Sequence, residues 1–371
     1  MKIRDVVARQ LRIPNVEDIF DGTQDVLIIE VVTESGLSGL GEVVSSSYVA
    51  RSVVEAPRSG GGRHGLREIV VGMDARDTDG IWEAMREGTA WFGRRGVAIH
   101  AMAGVDVALW DLKAKAMGAP VYRALAPNVG EPAPIKAYAS VLWGDTLDET
   151  RALAATLCQD GFRAVKFGFG SIGTSLEQDV AMVSAARDVV GEQRDLMVDV
   201  GRRWTLDQAI ERSTALGRFG VRWIEEPLHP DDLEGYARLT ASVDVPIAGG
   251  ETEETLAQFE AFLQAGVKVV QPDLGRVGLT QGMRIARLAA EYGATCVPHC
   301  FGTGINTAAS IHWMAAVGGQ LVEYPMRTNA LCRNLASGMP PLDHTGCVRP
   351  GDEAGLGVEL HDGTVRAHLY V

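Results

Sequence analysis

The sequence predicts an α/β protein: a (β/α)₈ barrel preceded by a separate α+β domain. Two observations support this fold. From about residue 130, short runs rich in Val, Ile, Leu or Trp alternate with longer amphipathic segments, which is the pattern of repeated βα units. Three acidic residues, Asp199, Glu225 and Glu251, each follow one of these runs and are equally spaced along the chain. In a parallel sheet or a (β/α)₈ barrel, function gathers at the carboxyl ends of the strands, so these acids are expected to lie together.

Residues 1–128 lack this alternation and predict the separate α+β domain. Two strands, KIRDVVARQL and DVLIIEVVTE, come first, and helices follow, of which VAIHAMAGVDVALWDLKAKAM is the longest. Residues 14–25 and 45–65 are rich in polar residues and glycine and are predicted to be long loops. Such loops can form a lid over a site elsewhere or can be plain flexible surface. If the second loop is a lid, the candidate substrate contacts on it are Tyr48, Arg51, Arg58, Arg63 and His64.

The barrel is predicted to span residues 129–335, with eight strands and eight helices. Strand ends are expected near Ser140, Lys166, Asp199, Glu225, Gly249, Gln271, Pro298 and Glu323. Helices between them are predicted to begin at caps such as Thr146, Thr205 and Asp231. Residues 336–371 break the alternation and are predicted to pack back on the N-terminal domain.

The three equally spaced acids predict a metal site. A single acid at a strand end is most often a helix cap or a solvated loop charge. Three carboxylates on consecutive strands, however, would repel one another across the mouth of a barrel unless a cation lay between them. Oxygen ligands of this kind, with room left for substrate and water, suit Mg²⁺.

Composition limits the class of partner. With a net charge of −13 and 46% hydrophobic residues, the chain is expected to be globular, with neither nucleic acid nor an anionic membrane as its main partner. The segment MKIRDVVARQ has no signal-peptide core, and no apolar run is long enough to span a bilayer, so a cytoplasmic location is expected.

The cysteines predict neither a disulfide framework nor a zinc site. Their number is odd and there is no CxxC pair, which favours reduced, mostly buried thiols. Cys296, His299 and Cys300 are close in sequence, but core thiols around a strand end are favoured over a metal site. The five cysteines are Cys158, Cys296, Cys300, Cys332 and Cys347.

A competing motif occupies residues 168–173, where GFGSIG matches the G-x-G-x-x-G of dinucleotide-binding turns. The following helix is predicted to start at Ser175, after the third glycine, so its N-terminus would not hold a pyrophosphate in the usual way. A nicotinamide or flavin site is therefore a remote alternative.

These residues together resemble the enolase superfamily, and within it the mandelate racemase subgroup, over nearly the whole chain. The motifs are specific: LMVDVG, WIEEP, IAGGE, VVQPDLGRVG, CVPHCFGTG and LVEYP. The resemblance implies an enolase-type barrel, an N-terminal capping domain completed by the C-terminal tail, and dimers or higher assemblies. It also implies metal ligands at Asp199, Glu225 and Glu251, a His299–Asp273 dyad, a strand-eight acid at Glu323, and Lys166 as the first lysine of a Lys-x-Lys motif. Gly168 stands where the second lysine would be, and Gly201 where an asparagine is common.

The chemistry follows from the requirements of α-proton removal. Taking a proton from the carbon next to a carboxylate creates an enediolate, whose charge needs stabilisation by a divalent ion and by a cation such as Lys166. His299, oriented by Asp273, is the expected base, and Glu323, protonated or strongly hydrogen-bonded, is expected to donate to the substrate carboxylate.

The missing second lysine favours one reaction among several. Racemisation is simplest with a base on each face of the substrate, whereas a single base suits β-elimination. The hypothesis is a Mg²⁺-dependent dehydratase that converts an aldonate or aldarate to a 2-keto-3-deoxy acid. A racemase, an epimerase or a lactone cycloisomerase remains open, because Lys166 could act as a second base. A non-catalytic binding protein on the same fold is the remote alternative.

Overall fold

The N-terminal domain is a small antiparallel sheet covered by helices. The computed structural model describes residues 1–17, 24–326 and 329–370, so residues 18–23 of the predicted loop 14–25 lie outside the described part. The sheet has the order β1-β2-β3, with β1 (Ile3–Arg12), β2 (Asp25–Thr33) and β3 (Ser38–Val43). The helices are α1 (Ser47–Glu55), α2 (Leu66–Val70), α3 (Thr78–Gly88), α4 (Val97–Met117) and α5 (Val121–Leu125), with a 3₁₀ turn at Gly60–Gly62.

Helix α4 is the centre of this domain. Its sequence is apolar on every side, and the helix is buried along nearly its whole length. It lies directly on β3 because that strand offers glycines: a Cβ at Gly41 would lie 2.0 Å from the carbonyl oxygen of Gly104.

The expectation of a long loop over residues 45–65 is wrong for its first half. Residues 47–55 form helix α1, an amphipathic segment that buries Ala50 and Val54. Arg58, Arg63 and His64 follow in irregular backbone on either side of the 3₁₀ turn.

The barrel contains the eight parallel strands that the sequence predicts. They are β4 (Ile135–Leu142), β5 (Ala164–Gly168), β6 (Asp195–Asp199), β7 (Ile224–Glu225), β8 (Ile247–Gly249), β9 (Val269–Val270), β10 (Thr295–Cys296) and β11 (Leu321–Pro325). Their order is β10-β9-β8-β7-β6-β5-β4-β11, and within the described residues the two end strands do not pair with each other. Side chains from all eight strand positions nevertheless form one internal cluster: Tyr138, Ala164, Met197, Trp223, Ala248, Val269, Val297 and Leu321.

Helices connect the strands on the outside of the barrel. They are α6 (Leu147–Gln159), α7 (Leu176–Val190), α8 (Leu206–Gly217), α9 (Leu233–Ser242), α10 (Leu256–Gln264), α11 (Leu274–Glu291), α12 (Gly304–Val317) and, after β11, α13 (Ala330–Asn334). Thr146 and Thr205 cap α6 and α8 as predicted, Thr205 within a capping box. The predicted cap at Asp231 is wrong by one residue, because it is the Asp232 side chain that accepts from Gly235 N.

The C-terminal segment contacts both domains. Its strands β12 (Ala336–Ser337) and β14 (Glu359–Leu360) pair with each other, β13 (Cys347–Val348) pairs with β4, and α14 covers Asp362–His368. On the N-terminal domain, Tyr370 N donates to Gln10 O at 2.8 Å and Leu356 N donates to Asp111 Oδ1 at 2.8 Å. None of the helices in the described part of the chain is both long and apolar enough to cross a membrane.

Candidate active site

The three equally spaced acids meet at the carboxyl ends of adjacent strands. Asp199 and Glu225 are the last residues of β6 and β7 and are register partners, and Glu251 follows β8 directly after Gly250. One oxygen from each lies within 4.8 Å of the others. Burial and then the neighbouring carboxylates raise the pKa of Asp199 well above its usual value, and burial raises the pKa of Glu225.

This donor set fits a hard divalent cation. Three carboxylates at this separation, two of them buried, are held together against their mutual repulsion. Carboxylate oxygens are the ligands that Mg²⁺ prefers, and one oxygen from each residue leaves further coordination positions open.

Lys166 lies between two acids on the floor of the site. Its Nζ is 2.5 Å from Glu225 Oε1 and 2.9 Å from Glu323 Oε1, and the side chain is 3% exposed. Burial lowers the pKa of this ammonium group, but Glu225 and Glu323 outweigh burial and raise the pKa well above its usual value. Lys166 is therefore held as a cation.

Two groups that the motifs did not single out hold the other oxygen of Glu225. Gln271 Nε2 donates to Glu225 Oε2 at 2.7 Å, and Trp223 Nε1 donates to the same atom at 2.9 Å. Gln271 stands at the predicted end of β9, so its strand-end position was the signal that could have identified it.

His299 and Asp273 form the expected dyad. His299 Nδ1 is 2.7 Å from Asp273 Oδ2, and His299 Nε2 is 3.3 Å from Glu251 Oε2. Burial lowers the pKa of His299, but the charge of Glu251 and the hydrogen bond to Asp273 raise it to about 10. The imidazole Nε2 thus faces the carboxylate cluster, while Nδ1 on the opposite side of the ring is hydrogen-bonded to Asp273.

Glu323 is held in its ionised form. It accepts from Cys300 N at 2.7 Å, and its other oxygen faces Lys166. Burial raises its pKa, but Lys166 and then His299 outweigh burial and lower it below the usual value. Of the two forms expected for Glu323, the structure favours the hydrogen-bonded carboxylate over the protonated acid.

A cavity of about 20 Å³ lies between these groups, which is enough for about one water molecule. Phe169 and Phe301 line it together with Lys166, Asp199 and His299. An acid of several carbons therefore requires these walls to move. Larger cavities of about 550 and 640 Å³ lie elsewhere and are lined by none of the seven predicted metal and catalytic residues.

The five candidate lid residues lie away from this cavity. Among the described residues, none of the five lines it. Tyr48 packs edge-on against Tyr370, Arg51 pairs with Glu55, and Arg58 pairs with Glu68. His64 Nδ1 accepts from Ser59 N, and Arg63 lies near Gly61. The structure does not bring these side chains to the site, and their role in binding substrate stays a prediction.

The glycine-rich turn at the end of β5 lies against the carboxylate triad. Helix α7 begins at Leu176 with Ser175 as its cap, as predicted, three residues beyond the turn's last glycine. Gly168 is the register partner of Asp199, and a Cβ at Gly168 would lie 2.8 Å from Asp199 Oδ2. The turn therefore packs against Asp199 of the carboxylate triad.

Fewer of the five cysteines are buried than expected. Cys300 is buried, whereas Cys158, Cys296, Cys332 and Cys347 are half-buried. Within the described residues, the group that could hold a metal is the carboxylate triad, which does not include Cys296 or Cys300.

Comparison with known proteins gives the family. Residues 8–125 match the mandelate racemase/muconate lactonizing enzyme N-terminal domain, and residues 149–364 match the enolase C-terminal domain-like family. The chain is an enzyme of the enolase superfamily and belongs to its mandelate racemase subgroup.

Relatives within this family carry more than one activity. The chain is 32% identical to D-galactarolactone cycloisomerase of Agrobacterium fabrum, over 90% of this chain and 89% of the relative. It is 30% identical to arabinonate dehydratase of Saccharolobus solfataricus, over 94% and 91%. A racemase from Streptomyces coelicolor A3(2), solved with bound magnesium, superposes with a TM-score of 0.86 at 28% identity and covers 99% of this chain and 100% of its own.

Proposed function

We propose that the protein is a Mg²⁺-dependent dehydratase of sugar acids, aldonates or aldarates, that forms a 2-keto-3-deoxy acid. Its substrate is a small carboxylate, and we propose further that it works as a homo-oligomer. Support comes from the assembled strand-end cluster and from relatives named as dehydratases of arabinonate and D-galactonate.

Asp199, Glu225 and Glu251 would hold the metal ion. A divalent cation there would stabilise the negative charge of an enediolate and, by neutralising part of the charge of Glu251, bring the pKa of His299 down towards neutrality.

The remaining residues carry the proton and charge chemistry. His299 Nε2 takes the proton from the carbon next to the substrate carboxylate, while Asp273 holds Nδ1. The electron pair left behind expels the hydroxyl group of the next carbon, and the imidazolium of His299 returns its proton to that group, so that water leaves. The resulting enol then takes up a proton at the third carbon and releases the proton of its hydroxyl group on the second carbon, which gives the 2-keto-3-deoxy acid. Lys166 supplies positive charge from the floor of the site.

The observation that carries this proposal is the pair of carboxylates that surrounds Lys166. The lysine bridges Glu225 and Glu323, so its ammonium group already has two carboxylate partners and is poorly placed to take a proton from the substrate. At position 168, a second lysine would press on Asp199. His299 is thus left as the base on one face of the cavity, which suits elimination better than racemisation.

A lactone or anhydro-ring cycloisomerase is the second candidate, because relatives with that name include the 32% identical one. The proton abstraction is the same. The difference lies in the leaving oxygen, which in a cycloisomerase belongs to a ring and stays attached to the carbon chain.

A panel of mono- and dicarboxylic sugar acids and their lactones, incubated with Mg²⁺ and read by semicarbazide absorbance, tests this proposal. We expect a keto-acid product from an open-chain acid, with a mass lower by one water, and its loss in His299→Asn. A product of unchanged mass from a lactone selects the cycloisomerase. α-Proton exchange in D₂O without any keto acid would overturn both and identify Lys166 as the second base of an epimerase.

A further inference from the structure

The orientation of the dyad depends on a residue of helix α12. Asp273 is fully buried, and its Oδ2 faces His299 Nδ1. Its other oxygen, Oδ1, accepts from Gly275 N at 2.7 Å and from Asn306 Nδ2 at 3.2 Å. With Oδ1 occupied by two donors, Oδ2 is the oxygen aimed at the imidazole. An ionised aspartate can only accept, so this geometry places the proton of a neutral His299 on Nδ1 and leaves Nε2 free to act as a base.

The capping domain holds Asn306 in place. Glu42, at the end of β3, is buried and accepts from Asn306 N at 3.1 Å through Oε2. The same carboxylate accepts from Thr303 N at 2.9 Å and from Thr303 Oγ1 at 2.6 Å. These bonds cross between the two domains and fix the first turn of α12, from which the Asn306 side chain reaches Asp273.

Gly275, whose N–H is the other donor to Asp273 Oδ1, also contacts the capping domain. Val44 N donates to Gly275 O at 3.0 Å, and a Cβ at Gly275 would lie 2.5 Å from Val44 Cγ2. The end of β3 therefore contacts both Asn306 and Gly275, the two residues that donate to Asp273 Oδ1.

Capping of α12 alone does not account for this arrangement. Thr303 already caps the helix by accepting from Ile305 N. The side-chain amide of Asn306 therefore has no role in capping the helix. Asn306 is 2% exposed, and its Nδ2 is aimed at the dyad. A buried amide in this position has a cost unless its hydrogen bonds are made, so the contact with Asp273 is part of the site.

We propose that Asn306, aligned by Glu42 of the capping domain, is a positioning residue that orients Asp273 and thereby fixes the Nε2-basic tautomer of His299. This inference rests on the proposed role of His299 as the base. It makes the geometry of the base depend on the docking of the two domains, because one end of the hydrogen-bonded series lies in each.

The test is spectroscopic and needs no substrate. The full-length protein, labelled with ¹⁵N-histidine and with Mg²⁺ present, is examined at one pH, and the His299 signals are assigned by their loss in His299→Asn. We expect the wild type to show a protonated Nδ1 with a slowly exchanging proton. In Asn306→Ala the resonance of the proton on His299 Nδ1 should move upfield or disappear through faster exchange with water. The His312 signals should stay in place.

Two further variants sharpen the test. Asn306→Asp keeps the volume and replaces the donor by an acceptor, so it should disturb the same resonance even if the alanine variant folds poorly. Glu42→Gln should shift it in the same direction by a smaller amount. Ser310→Ala is the matched control, since Ser310 is equally buried on α12 and no bond joins it to Asp273.

Kinetics then add a second readout. With an acid found in the panel, we expect kcat of Asn306→Ala to fall about 10- to 100-fold with little change in KM. An Nδ1 resonance in the two Asn306 variants that matches Ser310→Ala overturns the inference, whatever the activity. Turnover that survives in His299→Asn overturns the proposed function instead, so the two failures are distinguishable.

Discussion

The mouth of the barrel and the junction between the two domains both bury carboxylates, but they satisfy them differently. The junction acids are Glu42, Asp106 and Asp111. Asp106 accepts from Thr280 N at 2.8 Å and Thr280 Oγ1 at 2.6 Å. Asp111 accepts from the backbone N–H of Leu40 and Leu356, each at 2.8 Å.

At the mouth, acids face one another. Asp199 accepts from Gly201 N at 2.9 Å, and its next neighbours are Glu225 and Glu251. An acid that meets backbone donors joins segments of the fold, whereas an acid that meets other acids is available to a cation. Burial alone does not separate these roles, since it raises the pKa of Asp106 to about 7 and that of Asp199 as well.

His299 at the mouth and His312 at the junction show the same difference between charged and backbone partners. His299 faces Glu251 and Asp273, and its pKa is raised. His312 lies at the junction, where its Nδ1 accepts from Tyr122 N at 3.4 Å and its Nε2 meets Leu356 O at 3.2 Å. Burial among these backbone groups lowers the pKa of His312 to about 4.

The largest expected effect is on catalysis at the mouth. Glu225→Gln removes one of the three proposed metal ligands, so we expect kcat to fall on the order of 10³-fold. In the metal-free protein the substitution removes a buried charge and its repulsion by Glu251 but also removes the contact with Lys166, so we expect the free energy of unfolding to change little. Steady-state kinetics and denaturant unfolding measure both. Lower stability with retained activity would place Glu225 among the structural acids.

Substitution of a junction acid should lower stability and leave kcat unchanged. Asp106→Ala leaves the Thr280 N–H and hydroxyl groups buried without an acceptor, which we expect to cost about 3 kcal/mol of stability. The kcat of the folded protein should be unchanged, as determined from activity normalised to the folded fraction. A loss of kcat as deep as that of Glu225→Gln would remove the distinction between the two regions.

Metal removal compares the regions in one experiment. Mg²⁺ at 100 times its dissociation constant should stabilise the wild type by about 2.7 kcal/mol, and chelation should reverse this. The same gain is expected in Asp106→Ala and is expected to vanish in Glu225→Gln. Thermal unfolding with and without EDTA provides the measurement, and equal gains in both variants would argue against the carboxylate triad as the binding site.

The smallest expected effect is the pH response of His312. Its folded pKa of about 4 lies below its usual 6.5, so its contribution to stability is fully present above pH 6.5 and is lost as the pH falls towards 4. Between pH 7 and pH 5 the loss should be about 2 kcal/mol. His312→Gln should reduce the difference in stability between these two pH values by that amount. Glu42 and Asp106 are present in both proteins, so their own titration cancels, and an unchanged difference would contradict the assignment.

The sequence predicts the mouth far better than the junction. Strand ends repeat at a regular interval, so the positions of Asp199, Glu225 and Glu251 could be deduced from local pattern alone. The bonds of Glu42 to Thr303 join residues 261 positions apart, and those of Asp106 to Thr280 join residues 174 apart. Nothing in the local pattern around Glu42 or Asp106 indicates which distant donors their carboxylates meet.

The errors have physical causes of the same kind. Residues 47–55 look like a polar loop, yet burial of Ala50 and Val54 makes them a helix. The form of Glu323, for which two alternatives were expected, depends on its contact with Lys166 across β4, and neither residue's neighbours in the chain indicate that contact.

The close approach of Gly168 to Asp199 limits how this enzyme could be redesigned. On this backbone, a new side chain at position 168 cannot be added to the existing site as an independent part, because its first carbon would displace Asp199, one of the three proposed metal ligands. A variant that acquires a second base there is expected to lose metal affinity in the same step. For the one-base enzyme that we propose, acquiring a second base therefore requires at least two coordinated changes, the first of which reshapes the end of β6.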